Sequence, residues 1–201
     1  MYSASTDGVI KKIKVDEAGH YSVAGSLKLA GAPAYVCDRS PSHLYVLQNN
    51  NKVALISKET FTLDKEVEFT GFEATALVFC AGKLWVGDKK GTIHVLDGTS
   101  LEQSAAIEKK HNHAVTSMSA TTDTVITGDA YRYVYLFNGE SQAETGCFAH
   151  HTSKITSATI NKSGDRLLIA CLDNSFSVVN LATKAKQVFP RCEKILTAAV
   201  F

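Results

Sequence analysis

Apolar positions in this chain come in short runs of β-branched and aromatic residues, each broken after about five to eight residues by Gly, Asp, Asn or Ser, and no stretch carries the ~3.6-residue period of an amphipathic helix. The pattern predicts an all-β chain of four-stranded antiparallel units with no helix longer than about two turns. Residues 84–98, "LWVGDKKGTIHVLDG", show the local motif: two apolar strands around a tight polar corner of Gly87, Asp88, Lys89, Lys90 and Gly91. The corner has the Gly, Lys and Thr92 of a phosphate-binding loop, but in another order. In such a loop the lysine follows the second glycine and a helix starts there, so that backbone amides cradle phosphate; here both lysines precede Gly91 and a strand follows. The segment reads as a hairpin.

Corners of this kind recur at Asp7, Asn49, Asp88, Asp129 and Asp173, which lie 42, 39, 41 and 44 residues apart. A period near 40 with about four strands per repeat is the mark of a β-propeller blade. The first full unit reads as "APAYVCD", "HLYVLQ", "KVALIS" and "DKEVEF". Corresponding strands are "ATALVFC", "KLWVGD", "TIHVLD" and "SLEQSAAIE", then "AVTSMSA", "TVITGD", "YVYLFN" and "ETGCFA", then "KITSATI", "DRLLIACL", "FSVVNL" and "AKQVFP". Blade boundaries fall at about 1–31 (incomplete), 32–70, 71–110, 111–149, 150–190 and 191–201 (incomplete), in one partial propeller domain over residues 1–201. The first piece lacks an inner strand, and "KILTAAVF" at 194–201 is an inner strand with nothing after it.

Composition narrows the functions. At 201 residues with 45% hydrophobic and 20% charged residues, the chain can bury a sizeable core. Lys and Arg total 21 against 20 acids, so no strong field attracts nucleic acid or an anionic membrane surface. No apolar run approaches the ~18 residues of a membrane span and the N-terminus lacks an apolar signal core, which leads to a cytoplasmic expectation. Five separated cysteines, Cys37, Cys80, Cys147, Cys171 and Cys192, suit reduced thiols better than a disulfide framework.

The histidine pairs His150/His151 and His111/His113 invite a metal reading, but zinc needs three or four ligands at close spacing and no CxxC or HExxH is present. A blade-stabilising histidine beside an exposed one is the expectation, with no metal, cofactor or small-molecule substrate. Nucleophilic catalysis has no Gly-x-Ser-x-Gly elbow to support it, and the chain reads as a non-enzyme. The charged corners carry more. Lys89, Lys90, Lys109, Lys110 and Arg132 stand at corners that project from one rim in successive units, and they are read either as a solvated rim or as a basic arc suited to an acidic partner such as actin. The loop "DKEVEFTGFEA", with Phe69 and Phe72 among acids, is a second candidate contact, and buried strand ends explain it equally well.

The fourth unit, "FAHHTSKITSATINKSGDRLLIACLDNSFSVVNL", resembles a blade of the WD-repeat propeller family. His150 stands where that family's Gly-His histidine falls, and Asp173 stands at the far hairpin. His111 and Asp129 match the same positions one unit earlier. The resemblance implies that each His and Asp hydrogen-bond across the blade. The family's third-strand tryptophan is absent, with Val179 and Phe137 in its place. The order of "SASTDGVIKK", "SLKLAGAPAYVCD", "LQNNNKVALIS", "GFEATALVF", "LWVGDKKGTIHVLDGTSLE" and "CFAHHTSKI" is similar to the C-terminal propeller of the actin-interacting protein 1 family, WD-repeat cofactors of cofilin. The implied fold is a WD-repeat β-propeller of about five blade equivalents out of seven. It is expected to be an open arc in which residues 195–201 do not pair with residues 1–5. The implied function is a non-enzymatic actin-binding module of the cytoplasmic actin cytoskeleton, with actin filaments and cofilin as partners, that promotes cofilin-dependent severing, capping or disassembly. The alternative is a general WD-repeat interaction scaffold in another complex.

Overall fold

A computed structural model describes residues 1–148, 151, 153–161 and 163–189. Every regular element among them is a β-strand. The strands are β1 (Tyr2–Ala4), β2 (Val9–Val15), β3 (Tyr21–Lys28), β4 (Pro33–Cys37), β5 (His43–Gln48), β6 (Lys52–Ser57), β7 (Leu63–Glu68), β8 (Ala74–Cys80), β9 (Lys83–Asp88) and β10 (Ile93–Asp97). They continue with β11 (Gln103–Ile107), β12 (Val115–Ala120), β13 (Thr124–Asp129), β14 (Val134–Asn138), β15 (Glu144–Phe148), β16 (Ile155–Ile160), β17 (Arg166–Cys171), β18 (Phe176–Asn180) and β19 (Lys186–Phe189). They pair antiparallel in chain order as one three-stranded sheet, β1 to β3, and four four-stranded sheets, β4 to β7, β8 to β11, β12 to β15 and β16 to β19. The expected pairing of residues 195–201 lies outside the described residues.

The chain divides into two compact units, Met1–Glu73 and Ala74–Phe201. In the first, Ile10 of β2 joins Leu44, Val46, Ala54 and Ile56 of β5 and β6 in one buried cluster with Leu29 and Phe61, and Tyr2 stacks on Phe61 at 6.1 Å. Phe69 is buried and stacks on Phe72 at 5.0 Å, while Asn51 Nδ2 donates to both their carbonyls at 2.7 Å. Phe69 is thus a buried strand end, while Phe72 is half-buried beside it.

In the second unit the sheets stack through their first strands. Thr75 Oγ1 donates to the Val115 carbonyl at 2.6 Å, and Thr116 Oγ1, one unit on, donates to the Ile155 carbonyl at 2.7 Å. Small residues permit the approach: a Cβ at Gly87 would lie 2.5 Å from Val115 Cβ, and one at Gly128 would lie 2.8 Å from Ile155 Cγ2. Trp85, fully buried, meets Phe137 at 6.0 Å. Ile126, Val134, Leu136 and Phe148 form a second core with Ile155, Ala158, Leu167 and Ile169. Thr156, the third hydroxyl of the series, has a buried Oγ1 with no partner among the described residues.

The repeat is stricter than its acids suggest. The first strands begin at Pro33, Ala74, Val115 and Ile155, spaced by 41, 41 and 40 residues, and each has a register shift right after that residue. Their partners across the ladder are Gln48, Asp88, Asp129 and Cys171. The N–H groups of Asp88, Asp129 and Cys171 donate to the carbonyls of Thr92, Tyr133 and Ser175 at 3.0, 3.1 and 3.0 Å, and Ser5 makes the same turn to Val9 at 3.0 Å. The corners at Asp7, Asn49 and Asp173 are therefore out of register: their anchors are Ser5, Gln48 and Cys171. Asp7 and Asp173 sit two residues further on and cap the turn, accepting the N–H of Val9 at 3.0 Å and of Ser175 at 3.1 Å.

Candidate functional site

Residues 84–98 form the hairpin of β9 and β10, and the Asp88 side chain organises its corner. Asp88 Oδ1 accepts the N–H groups of Lys90 and Thr92, both at 2.8 Å, which removes those amides from any phosphate-binding role. Asp88 Oδ2 lies 3.1 Å from His94 Nε2, and His94 Nδ1 lies 3.0 Å from Gln103 Oε1. His94 stands opposite Val86 on β10, a position that the search for histidines ahead of first strands overlooks.

One sheet on, the structure brings His111 and Asp129 together with both side chains fully buried. Nδ1 lies 3.1 Å from Asp129 Oδ2 and Nε2 lies 2.8 Å from Thr127 Oγ1. A carboxylate only accepts, so Nδ1–H donates to it, and the Thr127 hydroxyl, able to donate or accept, pairs with Nε2. The edge of Tyr135 completes the group, its ring meeting the imidazole at 4.8 Å and 88°. That aromatic partner is Tyr135, two residues before Phe137 on β14. Burial works against the Asp129 charge, but hydrogen bonds from His111, Tyr133 and Tyr131 outweigh it and hold its carboxyl below the usual range. Burial is also the main cause that pushes the Tyr135 phenol up to about 12.

The next sheet departs from the expected pair. His150 lies outside the described residues, and it is His151, expected to be the exposed one, that is buried four residues ahead of β16, as His111 is ahead of β12. Its Nδ1 lies 3.4 Å from Cys171 Sγ, and the thiol occupies the ladder position of Asp129. Burial first, and then the Asp173 charge, push that thiol up to about 11, so it stays protonated and is no activated nucleophile. Asp173 takes the Ser175 hydroxyl at 2.6 Å as well as its amide. Cys37, Cys80, Cys147 and Cys171 are free thiols; Cys147 is exposed, and Cys192 lies outside the described residues. No group of three metal-binding side chains occurs among the described residues.

The cationic residues share one end of the second unit's sheets. Lys89 and Lys90 are exposed on the β9–β10 corner, and Lys109 is exposed on the loop into β12. Lys110 is drawn instead to Glu144 at 2.6 Å on the edge strand β15. Arg132 is exposed on the β13–β14 corner, its guanidinium 4.9 Å from the Tyr131 ring centre and 5.7 Å from that of Tyr133. His113 meets Tyr131 at 5.1 Å. The β9–β10 corner touches the loop into β12: a Cβ on Gly91, which has φ +93°, would lie 2.4 Å from the His111 carbonyl and 2.8 Å from that of His113. The aromatic part of this surface, Tyr131 with His113, is missed when only charges are counted along the sequence. The chain matches no protein-family model and no curated protein.

Proposed function

We propose that the chain is part of a WD-repeat β-propeller of about five blade equivalents, and that it works as a non-enzymatic protein-interaction module. The observation that carries this is the repeat of about 41 residues, built each time as a four-stranded antiparallel sheet, with first strand against first strand where β8, β12 and β16 meet in the second unit. The His111–Asp129–Thr127 group, buried across one such sheet, supports the WD-repeat assignment.

Within that reading, the order of atypical units favours the cofilin-assisting branch. The module binds actin filaments decorated with cofilin in the cytoplasm and promotes their disassembly. A rigid propeller rim makes modest contacts with two partners at once, and simultaneous engagement multiplies weak affinities. Co-sedimentation with filaments, with and without cofilin, tests it: the chain pellets when cofilin is present. Equal recovery in the supernatant under both conditions would refute the actin assignment and leave a WD-repeat scaffold of another complex.

A further inference from the structure

We infer that the β13–β14 corner, with Tyr131 and Arg132 at its centre, His113 on Tyr131 and Lys90 on the corner at the same end of the preceding sheet, is the docking site for an acidic polypeptide segment of a partner. The inference rests on the protein-interaction reading above but not on actin. Its base is rigid. Asp129 Oδ1 accepts the N–H groups of Tyr131 at 2.9 Å and Tyr133 at 3.0 Å, the Ala130 N–H donates to the Ala114 carbonyl at 2.7 Å, and the other carboxylate oxygen is held by buried His111. On that base Tyr131 is 48% exposed. Arg132 is preorganised over two tyrosine rings, and no carboxylate pairs with it among the described residues. Lys90, on the corner that meets the loop into β12 at Gly91, and Lys109, on that loop, are likewise without an ion-pair partner among the described residues; Glu108, next to Lys109, is the exposed acid of that loop.

Exposed tyrosine and arginine held in one conformation lose little entropy on binding and dominate protein interfaces. A guanidinium already stacked on rings still offers its in-plane N–H fork to a carboxylate. A nucleic acid fits less well. It needs a longer track of cations than these, the chain's formal charge is only +1, and Lys110 is already neutralised by Glu144. The matching ligand is a short acidic segment that places a carboxylate on Arg132 and an apolar side chain on the open part of the Tyr131 ring.

The test is fluorescence anisotropy on the whole chain with three labelled probes: a short peptide of alternating Glu and Leu, the same peptide with Lys for Glu, and an oligo(dT) of equal charge. The acidic peptide alone is expected to bind, more weakly as salt is added. Arg132→Glu and Tyr131→Ala should each weaken it about tenfold or more, while Arg132→Lys, which keeps the charge and loses the fork, falls between. Both side chains are exposed, so the unfolding midpoint should not move. No binding, binding indifferent to Arg132→Glu and Tyr131→Ala, or preference for oligo(dT) would overturn the inference. Filament pelleting separates the two claims. A chain that binds the acidic peptide through this corner yet ignores filaments would refute the actin assignment and leave the docking site standing.

Discussion

Replacing His111 by alanine is the sharpest probe of the buried group in the β12–β15 sheet. The ring is fully buried and holds two polar groups, Asp129 Oδ2 at 3.1 Å and Thr127 Oγ1 at 2.8 Å, and makes a T-shaped contact with Tyr135. Its removal strands a carboxylate oxygen and a hydroxyl, at about 1–3 kcal/mol each, and loses an edge contact of about 1 kcal/mol. Water entering the space and the bonds that Asp129 keeps with Tyr131 and Tyr133 recover part of this, so the expected loss is about 3–5 kcal/mol. His151→Ala is the internal comparison. There the ring faces a thiol at 3.4 Å where His111 faces a carboxylate, and because a thiol is the weaker hydrogen-bond partner the loss should be smaller, about 1–2 kcal/mol. Because the larger loss is a sizeable part of a stability of about 5–15 kcal/mol, Thr127→Val serves as a milder variant that leaves Nε2 unpaired, at about 1–2 kcal/mol. Urea unfolding followed through Trp85, the single tryptophan and fully buried in the same unit, reads all three. Equal losses for His111→Ala and His151→Ala, or a His111→Ala loss below about 1 kcal/mol, would mean that the bonds do not hold the blade together.

Three further outcomes are expected. Gly91→Ala forces a side chain into φ +93° and against the His111 carbonyl, so it should destabilise by about 1–3 kcal/mol in the same urea assay; a neutral result would remove the contact between the β9–β10 corner and the loop into β12. Asp129 has a lowered pKa, so its charge contributes stability above the unfolded value of about 3.9 and loses it as pH falls through the folded value; the advantage of wild type over Asp129→Asn should be flat near neutral pH and shrink below about pH 4, and an advantage that grows on acidification would contradict the network. Iodoacetamide followed by peptide mass spectrometry should modify exposed Cys147 well before buried Cys171, and the reverse order would contradict the protonated, enclosed Cys171 thiol.

Strand content is legible in the sequence because each run such as "KLWVGD" or "DRLLIACL" carries its own propensity and ends at a turn-forming residue. The register of the corners is not. Acids draw attention as corner residues, yet the turn is anchored by backbone bonds that a residue makes whatever its side chain, and Ser5, Gln48 and Cys171 serve as well as Asp88 and Asp129. That is why Asp173 is found two residues beyond its expected role, and why the histidine paired at that level is His151 with a thiol. His94 escapes for a related reason: it binds its acid from the third strand, so no fixed offset from a first strand predicts it. The cationic corners are legible as a set because the repeat places them at one end of their sheets. The withdrawal of Lys110 to Glu144, and the seating of Arg132 on two tyrosines, depend on side-chain directions that spacing does not encode.

The central claim is that this rim engages cofilin-decorated filaments. It is tested most directly by the fraction of actin left in the supernatant after filaments, cofilin and the chain are spun together. The chain should raise that fraction above the level with cofilin alone. The variant with Lys89, Lys90 and Arg132 changed to Glu, folded by its unfolding midpoint, should raise it less and with weaker dependence on salt. A fraction that the wild-type chain leaves at the cofilin-only level, or that the triple variant raises as fully as wild type, would contradict the account.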